Sequence, residues 1–157
     1  MSNERIWAPW RMEYIMRVDK IEECIFCRAA PSNDKLLLYK DEFTMVLLNR
    51  YPYTTGHLMV SPIRHAASLG ELSAVEAHAV MDTVRQCERI LHEEYHPQGL
   101  NIGINEGICS GAGIPGHIHV HLVPRWVGDT NFMPVVGEVR VIPESLSQTV
   151  DRLKSHF

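Results

Sequence analysis

Hydrophobic and polar positions alternate most strictly at residues 116–126, Gly-His-Ile-His-Val-His-Leu-Val-Pro-Arg-Trp. There Ile118, Val120 and Leu122 interleave with His117, His119 and His121. Period two belongs to a strand, whose successive side chains point to opposite faces. The aliphatic residues would face a core and the imidazoles would stand in a row opposite. Pro124 cannot donate to a ladder and is expected to close the strand. Shorter strands are expected at residues 36–39, 43–48 and 100–105, with 40–42 as a turn. Another is expected at 57–61, with His57 and Met59 on one face and Leu58 and Val60 on the other. Residues 139–142 allow a short last strand. Helical period takes over at Val80, Val84, Cys87 and Leu91, which fall at i, i+4, i+7 and i+11. Ser73 followed by Glu76 is a capping box that starts this helix, and Pro97 and Gly99 stop it. Its histidines, His78, His92 and His96, fall on polar faces or at the end. Pro9 suits the first turn of a short helix from about Trp10, and Pro143 that of a last helix carrying Leu146, Val150 and Leu153.

Antiparallel strand candidates with one long helix and shorter terminal helices make the class α+β. A single domain is expected over residues 1–157, with an N-terminal arm at 1–20 and a C-terminal helix at 143–157. The length of 157 residues suffices for a real core, and 45% hydrophobic with 22% charged residues is ordinary for a soluble domain. A net charge of -4 argues against a general nucleic-acid surface. No apolar run reaches the roughly 18–20 residues of a membrane span, and residues 1–6 lack a signal-peptide core. The expected location is cytoplasmic, with neither nucleic acid nor membrane as partner. Four cysteines in this length do not suggest a secreted disulfide framework.

The chemistry concentrates in the histidine row. A lone histidine is usually a satisfied surface or core residue. Three at strand spacing point to a metal site, or to a phosphate site with one imidazole as nucleophile and the others as acid, base or charge stabiliser. Arg125 follows, and arginine suits phosphate recognition. Cys24-Ile25-Phe26-Cys27 reads as a zinc half-site, a redox pair or two small buried hydrophobes. Residues 19–23 supply no strand for a thioredoxin-like context. Zinc usually takes four ligands, and His65 and His117 are available. The glycine-rich loop 106–116 could bring backbone amides close to an anion, although it matches no Walker or dinucleotide fingerprint. The arm contributes Trp7, Trp10 and Tyr14 with Arg11 and Arg17. It would pack on the domain or on a second subunit, with substrate contact the lesser reading.

His-Ile-His-Val-His-Leu-Val resembles the signature of the histidine triad (HIT) family. The runs Asn-Arg-Tyr-Pro-Tyr-Thr-Thr-Gly-His-Leu-Met-Val at 49–60 and Ser-Pro-Ile-Arg-His at 61–65 match it as well. Trp-Ala-Pro-Trp-Arg-Met-Glu-Tyr at 7–14 and Gly-Asp-Thr-Asn-Phe at 128–132 are similar to the bacterial branch that cleaves diadenosine polyphosphates, including diadenosine tetraphosphate phosphorylases. The resemblance runs from Trp7 to about Ile142. It implies an antiparallel sheet with packed helices, usually in a homodimer. It also implies a structural Zn2+ on Cys24, Cys27, His65 and His117.

The same resemblance makes His119 the nucleophile toward an α-phosphorus, forming a nucleotidyl-imidazole. His57 and His121 are the further catalytic residues. They would share charge stabilisation with the amides of Ser110, Gly111, Ala112 and Gly113, and His121 would assist the leaving group. Asn49 would contact the ribose, although loop capping is physically just as reasonable for it. Asn105 joins the nucleotide-binding set with His119, His121 and the glycine loop. Some family hydrolases carry a glutamine four residues before the first triad histidine. Gly113 stands there instead and favours phosphate over water as acceptor, giving ATP and ADP from diadenosine tetraphosphate. The rival readings are a hydrolase using water, a nucleotide-binding module with negligible turnover, and a catalytic zinc on the three histidines.

Overall fold

Leu58, Val60, Val120 and Leu122 are all almost wholly buried, and they sit on one face of two neighbouring strands. This is the centre of a computed structural model that describes residues 24–30, 34–130 and 142–157. Five strands form one antiparallel sheet: β1 (Leu37–Lys40), β2 (Thr44–Leu48), β3 (Leu58–Pro62), β4 (Gly99–Ile104) and β5 (Val120–Arg125). Their spatial order is β1-β2-β3-β5-β4. The α-helices among the described residues are α1 (Ile25–Ala29), α2 (Ala74–Tyr95) and α3 (Leu146–Leu153). The α+β class follows. The arm at 1–20, with Pro9, Trp7, Trp10 and Tyr14, lies outside the described residues, as do residues 139–141. No helix among the described residues is long and apolar enough to cross a membrane.

The sheet is covered on both faces at its centre. Val80, Val84, Cys87, Ile90 and Leu91 of α2 pack on Val46, Leu48, Leu58, Val60, Val120 and Leu122, with Leu153 of α3 closing the same core. On the other face Met45, Leu47 and Met59 meet Phe26 and Ala29 of α1. Strands β2 and β3 are consequently buried at every position. Helix α2 begins at the expected capping box: Ser73 Oγ accepts from the Glu76 amide, and the Glu76 carboxylate accepts from the Ser73 amide. It stops where His96 turns left-handed, at φ 45°, ahead of Pro97. In the hairpin before β2, Asp41 Oδ1 accepts from the amides of Phe43 and Thr44 at 2.8 and 2.6 Å.

Three boundaries differ from the sequence reading. The histidine strand enters the ladder only at Val120. Before that, the Ile118 amide bonds to Ala66 O at 2.7 Å and the His117 amide to Ile114 O. That piece is held by the loop after β3, so only His121 of the three histidines lies in the strand. Pro124 does not end β5; it pairs opposite Leu100. Its carbonyl accepts from Thr54 Oγ1 at 2.8 Å, on the side where pairing with β3 has already ended at Leu122. No ladder bond is lost there by the missing N–H. The last helix starts at Leu146, not at Pro143, because Ser145 and Gln148 form a capping box of their own.

Leu122 is fully buried in a central strand. Leu122→Ala is expected to destabilise the fold by about 2–5 kcal/mol, read by urea denaturation. A loss below about 1 kcal/mol would mean that the core does not depend on this contact.

Candidate active site and metal cluster

The short helix α1 carries the cysteine pair to the underside of the sheet. Cys24 is its N-cap and Cys27 lies within it. Cys24 Sγ is 3.2 Å from His117 Nδ1, Cys27 Sγ is 3.2 Å from His65 Nδ1, and Cys27 Sγ is 3.6 Å from His117 Nδ1. The four ligand atoms all lie within 4.8 Å of one another. Tetrahedral zinc with Zn–S of about 2.3 Å and Zn–N of about 2.0 Å has S···N edges of roughly 3.5 Å, so the donor set fits that ion in size and type. His117 is fully buried, and its Nε2–H donates to Pro62 O at 3.0 Å. That bond leaves Nδ1 unprotonated toward the sulfurs, as a metal ligand requires. Burial and the neighbouring Cys24 push the Cys27 thiol above its ordinary range. A thiolate pair here therefore calls for a cation. His65 is steadied by its neighbour: Arg64 forms a bidentate pair with Glu76 at 2.7 and 2.9 Å and donates to Glu71 O.

Directly beside this cluster stand the other two triad histidines. His119 Nδ1 donates to the His117 carbonyl at 2.8 Å. Neutral imidazole has one N–H, so the Nε2 of His119 is left with its lone pair. The Phe26 ring lies 5.0 Å from the rings of both His117 and His119 and excludes water from below. His57 is fully buried at the start of β3. The Tyr53 amide donates to its Nδ1 at 3.1 Å, and its Nε2 is 2.9 Å from His121 Nδ1. A backbone amide can only donate, so the proton of His57 is on Nε2 and is given to His121. His121 in turn carries its own proton on Nε2, adjacent to the His119 ring at 4.8 Å. The result is one imidazole lone pair and one imidazole N–H on neighbouring rings.

All of these rings favour the neutral state. Burial, then the neighbouring His121 and His119, lower His57 to about 3. Burial, then His119, lower His121 to about 4. Burial also lowers His119, against the opposing pull of the His117 carbonyl.

The remaining candidates divide. Asn49 caps its loop, with Oδ1 accepting from the Tyr51 amide at 2.9 Å, while its amide nitrogen lies 3.4 Å from both ring nitrogens of His57. Asn105 follows β4 and leads into the glycine loop. That loop contains a single turn at Ile108–Ser110, flanked by Gly107 and Gly111 at φ 79° and 88°. The amides of Ser110 and Gly111 close this turn on Gly107 O and Ile108 O, and Ser110 Oγ donates to Gly107 O at 2.7 Å. Ala112 is buried. Arg125 is clamped, paired with Asp129 at 2.6 and 2.9 Å and donating to Asn101 at 2.7 Å. Its charge is thereby taken up away from the phosphate role its residue type suggested. Trp126 Nε1 donates to Tyr95 O. Sequence reasoning passed over Phe26 and the Tyr53 amide. An apolar residue inside the cysteine pair was the available signal for Phe26, but a backbone amide leaves none.

The HIT domain family model matches residues 30–127. The AP-4-A phosphorylase of Mycobacterium tuberculosis is 32% identical over 157 residues, covering 93% of this chain and 80% of its own. The asymmetrical bis(5'-nucleosyl)-tetraphosphatase of Schizosaccharomyces pombe is 29% identical over 93 residues, which are 59% of this chain and 50% of its own. Among solved structures, a zinc-bound histidine triad family protein from Mycobacterium smegmatis superposes with a TM-score of 0.70 at 27% identity, over 85% of this chain and 92% of that one.

Buried neutral histidines make stability depend on pH. Unfolded, His57 and His121 take up protons near 6.5; folded, they do so only near 3 and 4. Between those values the unfolded state binds more protons, so stability falls as the pH drops below about 6.5. Urea unfolding between about pH 7.5 and pH 5 should show that decline, and His57→Gln should flatten it. A stability that rises toward pH 5 would contradict the neutral arrangement.

Proposed function

This chain belongs to the HIT family as a HIT-type enzyme, and we propose that it cleaves dinucleoside polyphosphates of the diadenosine tetraphosphate type by nucleotidyl transfer through His119, with inorganic phosphate as acceptor. The observation that supports this reading is the 2.8 Å bond from His119 Nδ1 to the His117 carbonyl, which leaves Nε2 of a neutral imidazole with its lone pair. A neutral imidazole is a competent nucleophile near pH 7.

Nε2 of His119 attacks the α-phosphorus, an N–P bond forms, and the bond to the bridging oxygen breaks. The proton on His121 Nε2 goes to the departing oxygen, and ATP leaves. His57 holds His121 in the required tautomer through the 2.9 Å bond. Hydrogen phosphate then attacks the same phosphorus through one oxygen, its proton passes to His121 Nε2, the N–P bond breaks, and ADP leaves with His119 and His121 both restored. Charge on the phosphoryl oxygens is met by the His121 N–H and by the amides of Ala112 and Gly113; the His57 N–H is spent on His121 and supports it from behind, and the amides of Ser110 and Gly111 are spent within their own turn. Stabilisation of this kind is usually the largest part of such catalysis. Asn49 and Asn105 complete the nucleoside side of the site.

Cys24, Cys27, His65 and His117 would hold a structural Zn2+, whose charge neutralises the thiolates and ties α1 to the histidine segment. The relative from Mycobacterium smegmatis is a zinc-bound member of the family. We further read the chain as a single cytoplasmic domain over residues 1–157 that forms a homodimer. The edge position of β4 and the 44% exposure of Ile102 on it are consistent with pairing to a second copy.

Product analysis of diadenosine tetraphosphate cleavage in oxygen-18 water tests the reaction. ATP and ADP formed only with phosphate present is the expected outcome. AMP plus ATP, with the label in AMP, would replace phosphate by water as acceptor. His119→Asn should lower turnover by at least about 10³-fold while AMP binding persists. AMP binding with no detectable turnover in the wild type would make the chain a binding module. For the metal, one zinc per chain is expected, released on Cys27→Ser with a lower melting temperature. Chelated, still-folded protein that keeps its activity would exclude a catalytic zinc on the three histidines.

A further inference from the structure

Tyr95, the last residue of α2, has no part in the chemistry described above, yet it touches the turn that delivers His57. Gly56 precedes His57 with φ +76°. A Cβ placed on Gly56 would come within 3.1 Å of Tyr95 Cε2 and 3.3 Å of Leu91 Cδ2, so the Gly56 backbone lies directly on the tyrosine ring. The ring is fixed from its far end. Tyr95 Oη donates to Glu144 Oε2 at 2.6 Å, and Glu144 also accepts from Thr149 Oγ1 and Arg152 Nε, each at 3.0 Å. The Arg152 guanidinium stands 5.4 Å over the Tyr95 ring. Arg152 and His156 reach Glu94 at 3.9 and 2.9 Å, which fastens the C-terminal segment to α2 itself. From the other side, Trp126 Nε1 donates to Tyr95 O and Thr54 Oγ1 to Pro124 O. The turn 53–57 is thus gripped between the end of α2 and the end of β5. It supplies both His57 and the Tyr53 amide that sets the His57 tautomer.

We propose that Tyr95 is a positioning residue for His57: its ring, clamped by Glu144 and Arg152 of the C-terminal segment, is the floor on which the turn 53–57 sets the His57 imidazole against His121. The physical reason is leverage. Gly56 has no side chain and a left-handed backbone, so nothing of its own fixes the angle at which the chain enters β3. The aromatic surface beneath it does so instead. A displacement of about 1 Å at a catalytic group can cost roughly 100-fold in rate, so a floor of this kind is felt in turnover more than in binding.

The test uses Tyr95→Ala, which removes the floor, and Tyr95→Phe and Glu144→Gln, which loosen it while the ring remains. Nitrogen-15 NMR of the His57 side chain reports the Nε2–H bonded to His121 and the Nδ1 that accepts from Tyr53. Steady-state kinetics with diadenosine tetraphosphate report kcat and KM separately. Tyr95→Ala should weaken or abolish the protected Nε2–H signal and lower kcat by about 10- to 100-fold, with KM changed by no more than about 2-fold. Tyr95→Phe and Glu144→Gln should broaden the same signal with a smaller loss, and they decide the matter if Tyr95→Ala does not fold. A folded variant series that leaves the His57 signal and kcat as in the wild type overturns the proposal. The kinetic arm rests on the cleavage reading above; the NMR arm does not. A wild type that cleaves nothing, with His57 still responding to Tyr95, would remove that reading and leave the positioning role standing.

Discussion

His117 is bound in three directions, and both halves of the site depend on it. Its Nε2–H is given to Pro62 O, its Nδ1 faces the cysteine sulfurs, and its carbonyl takes the Nδ1–H of His119. Rotating this one residue would unmake the donor cluster and the tautomer of its neighbour together. A ligand set that pins His117 therefore acts on His119 through a peptide carbonyl, at a distance of two residues. The donor cluster and the tautomer of His119 are thus set by one short segment.

The second constraint is dryness. His57, His117 and His119 are all nearly inaccessible, and burial is the leading cause of the lowered proton affinity of each. A buried imidazolium would lack water to solvate it, so the rings stay neutral and trade single protons along fixed hydrogen bonds. The order of donors, from the Tyr53 amide through His57 to His121, is then a consequence of backbone geometry. No charged side chain is needed to set it.

Much of this was legible in the sequence for a definite reason. Alternation at residues 120–122, the stripe on α2 and the Ser73–Glu76 capping box are local patterns, and local patterns survive folding when the core agrees with them. The cysteine pair announced two ligands, and the resemblance supplied the two histidines that now stand within 4.8 Å of it. What was not legible depends on distant partners. The departure of residues 117–119 from the ladder is set by Ala66 and Ile114, and the place of Pro124 inside β5 by the early end of β3. Arg125 looked free for a phosphate because its clamp, Asp129 with Asn101, is spread over two separate stretches of chain. The start of α3 at Leu146 is a local matter that the proline drew attention away from.

The double burial of β2 and β3 has a bearing on how this protein tolerates change. His57 is bonded to the first residue of β3, and His121 lies inside β5 between two core residues. The most tightly packed layer and the imidazoles of the candidate site are covalent neighbours there. Abundance and turnover would fall together for substitutions around residues 58–60 and 120–122, and a mutational scan could not tell a folding position from a chemical one. In the turn 107–111, whose residues are exposed or half-buried, the two would separate. Substitutions in that turn would change one property at a time, while those at the centre of the sheet would change both.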